Sequence, residues 1–166
     1  MEPLAYDFVA DADDTTFRFA TVHALTYEVR FTPSGYLFLK YAELNDYTFE
    51  LVIKLVANAT GSRTPPDRRI VATIAVIFSA FLEQNKRVIV YICDTSDKRQ
   101  TVRARKFNGW FEQYQSTTGL YKVDQTIMDA QGVIYLMSLI TRTDNPLRRQ
   151  AFDAFDELIT GENDKP

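Results

Sequence analysis

The residues with the greatest capacity for chemistry lie between Asp94 and Trp110. Asp94 closes an apolar run, and Lys98, Arg99, Arg103, Arg105 and Lys106 follow within twelve positions. On a helix, Arg99, Arg103 and Lys106 stand at i, i+4 and i+7 and form one positive stripe with Trp110 beside it. Such a stripe can meet phosphates or a carboxylate-rich protein surface. Residues 103 and 105 cannot share a helix face, so one arginine can bind while the other is structural. Trp110 can stack on a base or an interface, or sit half-buried at a helix edge. The simpler alternative for the whole stripe is a solvated face that pairs with acidic parts of the same chain.

The charge distribution makes the stripe stand out. Residues 63–106 hold ten basic and four acidic side chains, net +6, whereas residues 1–62 come to −5 and residues 107–166 to −4. The overall net charge of −3 conceals a basic centre between acidic ends, which suits an acidic partner.

Other chemistries are short of material. His23 is the sole histidine and Cys93 the sole cysteine, so a multi-histidine metal site, an internal disulfide and a C-x-x-C motif are excluded. No metal and no cofactor is expected. Cys93 ends an apolar strand, where an inert buried thiol is the simpler reading than a nucleophile. Residues 93–97 combine a strand end with a helix start, a place that can hold an anion, yet the same residue types are what capping requires. Asp94 and Asp97 would also repel a phosphate. The six glycines, at 35, 61, 109, 119, 132 and 161, never form a phosphate-cradling loop. Carboxylates such as Glu112 and Asp124 are too far apart in sequence to be assigned as an acid and base pair. With no catalytic motif, the reading leans away from an enzyme.

The elements that must position these residues can be read from periodicity. Leu4–Phe8, Thr16–Thr21, Leu25–Thr32 and Tyr47–Val56 are rich in aromatic and β-branched residues and predict an antiparallel meander, with a short extra strand at Tyr36–Leu39. Phe17 and Phe19 share one face, as do Tyr27, Val29 and Phe31 around Glu28 and Arg30. Thr64 as N-cap, with Pro65 and Pro66 in the first turn, opens a helix running to about Gln84 that buries Ile70, Ile74, Ile77, Phe78 and Phe81. Arg87–Cys93 reads as a buried strand. A second helix, Asp97 to about Gln115, turns Ala104, Phe107, Phe111 and Tyr114 to the core. Tyr121–Met128 and Val133–Thr141 form a hairpin about a turn near residues 129–132. Asn145 as N-cap and Pro146 then open a last helix that ends at Gly161.

With 166 residues, the chain suits one α+β domain over residues 1–161, a mainly antiparallel sheet covered by helices, with a frayed tail at 162–166. The acidic start lacks a secretory pattern, and the longest apolar stretch, Ile70–Leu82, is too short to cross a bilayer. A cytoplasmic protein with no membrane partner is expected.

Tyr6 and Phe8, Phe17 and Phe19, and Tyr27, Val29 and Phe31 carry a resemblance, and so, above all, does the block Tyr91, Ile92, Cys93, Asp94, Asp97, Arg103, Arg105, Phe107, Trp110 and Phe111. Through these residues the chain resembles an uncharacterised family of small bacterial proteins, the domain of unknown function 6169 family. The likeness covers most of the chain. It implies a bacterial source and a compact α+β domain and transfers no catalytic residue.

Three functions remain. The first is a small binding or regulatory protein that recognises a protein or nucleic acid through the surface of residues 98–110, using Arg99, Arg103, Arg105, Lys106 and Trp110, with Asp94 at its edge. The second is an enzyme of phosphate- or nucleotide-containing substrates, with Arg103 and Arg105 as anion clamps and Asp94 as base. The third is a structural subunit that self-associates through a sheet edge.

Overall fold

The computed structural model describes residues 4–59, 67–93, 105, 108–112 and 119–161. Seven strands form one sheet: β1 (Val9–Ala10), β2 (Thr16–Ala20), β3 (Leu25–Pro33), β4 (Thr48–Asn58), β5 (Val88–Cys93), β6 (Leu120–Met128) and β7 (Ile134–Arg142). Their spatial order is β1-β2-β3-β4-β5-β7-β6. Neighbours run antiparallel except β4 and β5, which are parallel. A parallel pair needs a crossover, and the helix α1 (Arg68–Phe81) falls between these two strands in sequence. The α+β class and the opening meander read from the sequence are what the fold contains. Residue 105 and residues 108–112 are helical, and α2 (Arg148–Gly161) follows β7.

The long helices cover opposite faces of the sheet. Ile70, Ile74, Ile77, Phe78 and Phe81 of α1 join Phe17, Phe19, Val29, Phe31, Ile89 and Ile140 in one core. Rings carry much of it: Phe31 stacks on Phe81 with centroids 3.9 Å apart and meets Phe17 and Phe78 edge-on. Strand residues of the other parity, Val88, Val90, Met137 and Leu139, pack with Ala151, Ala154 and Phe155 of α2. Alternation along each strand thus feeds two cores.

Several expectations need correction. Residues 4–8 form no strand, and only Val9–Ala10 pairs with β2. The Tyr6 backbone N–H donates instead to Thr73 Oγ1 of α1 at 2.8 Å, and its buried hydroxyl donates to Asp67 at 2.6 Å. Tyr36–Leu39 is not a strand either, since Gly35–Phe38 forms a 3-10 turn. A Cβ at Gly35 would collide with the Asn45 carbonyl, so the backbone passes there only as glycine, and the turn drives Phe38 into the α2 core. Asp67, not Thr64, caps α1, accepting the Arg69 N–H at 2.9 Å, and Thr64, Pro65 and Pro66 lie outside the described residues. The helix ends at Phe81 rather than Gln84: the Glu83 N–H turns back only three residues, to the Ala80 carbonyl, and the Arg87 guanidinium donates to the Phe81 carbonyl at 3.0 Å.

Asn145 caps as expected, accepting the Leu147 N–H at 2.8 Å, although a turn precedes Arg148, where α2 begins. The β6–β7 hairpin also follows expectation: Asp129 accepts the N–H groups of Gln131 and Val133, and Gly132 takes φ +81°. Of the helix expected from Asp97 to about Gln115, residues 97–104, 106, 107 and 113–115 lie outside the described residues, as does the tail 162–166.

Candidate functional site

Most of the basic stripe, namely Lys98, Arg99, Arg103 and Lys106, lies outside the described residues together with Asp94–Asp97. Arg105 is described, helical and exposed. Trp110 is half-buried and packs against the α1-side core, and Phe111 is buried in it. His23 lies exposed in the turn between β2 and β3.

The geometry gathers other residues beneath this segment. Strand register sets β5, β7 and β6 side by side, giving three rows on the face that α1 also shares: Ile89, Ile140 and Lys122; Tyr91, Ser138 and Asp124; Cys93, Leu136 and Thr126. The first row is apolar except for Lys122, whose side chain is only 7% exposed. Its ammonium sits 5.7 Å from the centre of the Phe111 ring and reaches the two Asp124 oxygens at 2.5 and 2.6 Å. A buried cation needs both, since a ring face and a carboxylate replace its lost water. Ser138 donates its hydroxyl proton to Asp124 Oδ1 at 2.6 Å.

The second and third rows line a cavity of about 330 Å³, with Tyr91, Cys93, Asp124, Thr126, Leu136 and Ser138 among its walls and Asn108 of the helical segment at its edge. Arg105 is not among the described lining residues. Cys93 is 2% exposed and its thiol lies 3.5 Å from the Tyr91 hydroxyl, so the apolar-strand reading of this thiol fits its burial. Glu112 is exposed on the helical segment, and the Asp124 carboxylate is held by Lys122 and Ser138. Among the described residues, no group of three or more His, Cys, Asp or Glu side chains could hold a metal ion, and no helix is long and apolar enough to cross a membrane.

A family model described as a family of unknown function, DUF6169, matches residues 66–157. The chain belongs to that family. The DUF6169 match runs from the residue before the Asp67 cap to the last turns of α2, and so contains all three rows, including the two that line the cavity. Strands β1 to β4 lie outside it. None of the curated proteins matches the chain.

Lys122, Ser138, Tyr91 and Thr126 were not candidates from sequence. One signal could have found all of them but Tyr91. A loop of five residues between Met128 and Ile134 sets the hairpin register, and that register places Asp124 opposite Ser138 and Thr126 opposite Leu136.

A second carboxylate cluster lies on β2 and β3, outside the DUF6169 match. Glu28 is buried and accepts from Arg18 at 2.7 Å and Arg30 at 2.6 Å. The hydrogen bond from Arg18 is the main cause that holds the Glu28 carboxyl below its ordinary range. Its two arginines are the cross-strand partner and the neighbour two positions along the same strand.

Proposed function

We propose that this protein is a small bacterial, cytoplasmic binding or regulatory protein that recognises a protein or nucleic acid through the basic surface of residues 98–110. The observation that carries this reading is the way residues 108–112 are seated. Phe111 is buried over Lys122 and Trp110 packs at the core's edge, while Arg105, itself helical, is exposed. Two aromatic anchors on one side and a solvated arginine on the other suit a segment that displays its charge to a partner. The buried free thiol of Cys93 suits a reducing compartment.

The test is capture from native extract, with and without nuclease, comparing the wild-type chain with a variant carrying Arg99→Glu, Arg103→Glu and Lys106→Glu. The wild type should retain a partner that the variant loses, and nuclease sensitivity then assigns it to nucleic acid or protein. A partner held equally by both chains would remove the basic surface from consideration. For nucleic acid, affinity should also fall steeply with salt.

A second reading, self-association, draws on the sheet edge. β6 is a nine-residue edge strand, and a long edge is a template for pairing with another copy. Light scattering across concentration separates the two. An enzyme acting on phosphate or nucleotide substrates draws less support, because the described cavity wall carries Asp124 and not Arg105.

A further inference from the structure

We propose that the cavity floored by Asp124 and Ser138 binds a small, uncharged, hydroxyl-rich molecule about the size of one sugar ring. Three properties of the floor lead there, and none of them depends on the basic surface.

The first is the balance of donors and acceptors. Ser138 gives its only hydroxyl proton to Asp124, so towards the cavity its oxygen can only accept. Asp124 accepts one bond from Ser138 and two from Lys122, and a carboxylate has about four acceptor sites, so one is left. Its side chain is 52% exposed, which puts that site within reach of a ligand. The floor is thus rich in acceptors, and a molecule that settles on it must bring O–H or N–H donors.

The second is charge. Lys122 lies within 2.6 Å of both carboxylate oxygens and cancels the negative charge locally. On the described floor an anion meets the carboxylate first, because Asp124 is the exposed member of the pair and Lys122 the buried one. An ammonium ligand would sit against a carboxylate already neutralised, and would be repelled by the Lys122 cation behind it. A neutral donor escapes both penalties.

The third is shape. The lining combines residues with apolar surface, Tyr91 and Leu136, and residues with further polar groups, Thr126 and Asn108. A sugar ring has apolar C–H faces and a rim of hydroxyls, which matches that division. A volume of about 330 Å³ is at the lower end of the range for ligand pockets, enough for one ring and not for a chain of them.

Isothermal titration of the full chain with glucose, galactose, mannose, ribose and inositol, at millimolar concentrations, tests the proposal, with inorganic phosphate and ethanolamine as charged comparators. At least one of the neutral polyols should bind, and neither comparator should. Thr126→Phe, at an exposed wall position, should fill the opening and weaken binding by about tenfold or more, with the unfolding temperature unchanged. Asp124→Asn leaves the Lys122 charge uncompensated, so polyol affinity should fall and phosphate binding should appear. Silence across the polyol panel, preference for phosphate or ethanolamine by the wild type, or full polyol affinity in Thr126→Phe would each overturn the assignment. Failure of the basic-surface variants to lose a partner would leave these outcomes untouched.

Discussion

Glu28 and Asp124 each bind two side chains, but they are built in opposite senses. At Glu28 the anion is the buried member, with a side chain 5% exposed, and its arginine partners are 64% and 47% exposed. At Asp124 the cation is buried, with Lys122 at 7%, and the anion faces outward at 52%. The first cluster is closed, because the carboxylate itself is buried and only its two guanidinium partners face water. The second is open, because the partner that remains exposed is an acceptor with a site to spare. Two carboxylate-centred clusters therefore differ in kind: one holds strands together, and the other can hold something else.

The sharpest way to break this contrast is to strand the buried member of each pair. Replacing both cations with Arg18→Met and Arg30→Met keeps an aliphatic cover over Glu28 while removing its partners, so the carboxylate is left covered and unpaired. The expected loss is about 3 kcal/mol of unfolding free energy, at the low end for a broken buried pair because the carboxyl can protonate instead. Urea unfolding at neutral pH measures it, and a loss below about 1 kcal/mol would mean that water reaches Glu28 freely.

The open cluster should show a smaller and asymmetric response. Asp124→Asn strands the Lys122 ammonium beneath Phe111 and should cost about 2 kcal/mol. Lys122→Met leaves Asp124 facing water and restores apolar contact with the Phe111 ring, so its cost should be about 1 kcal/mol or less. The order of the two midpoints is the measurement that matters. If Lys122→Met proved the more damaging, the carboxylate and not the ammonium would be the buried partner in solution.

The contrast also separates what periodicity can and cannot reveal. Alternation correctly placed Phe17, Phe19, Val29 and Phe31 on the face that meets α1. The same alternation set Glu28 and Arg30 opposite them, on what reads as a solvent face, yet Glu28 is 3% exposed. Its burial depends on Arg18, ten positions away in sequence and directly across in the β2–β3 register, and no local pattern encodes that pairing. Tyr36–Leu39 failed for a related reason. Its aromatic and apolar residues favour a strand, but the close approach of Gly35 to the Asn45 backbone imposes a turn. At the cavity, Lys122 and Asp124 are two apart and visibly share a strand face, whereas Ser138 joins them only through the hairpin register, and Tyr91 only because β7 and not β6 lies beside β5.

The subtlest test of the closed cluster is its response to acid. Folding lowers the Glu28 pKa from an ordinary value of 4.5, through the Arg18 hydrogen bond first and the charges of Arg30 and Arg18 after it. A carboxyl with a depressed folded pKa binds fewer protons folded than unfolded, so its stabilisation is complete above the unfolded value and is lost as pH falls through the folded one. Urea midpoints of the wild type should therefore decline from about pH 5 downward. Asp11 and Asp144 are also depressed and contribute to that decline, so the absolute slope does not isolate Glu28. The difference between wild type and Glu28→Gln does, because the amide cannot titrate and keeps a similar shape. The variant should start less stable at pH 7 and lose less on acidification, so that the two curves converge as the pH falls. Parallel curves would mean that Arg18 and Arg30 do not favour the ionised form in solution, and the closed cluster would then lose the electrostatic basis on which its contrast with Asp124 rests.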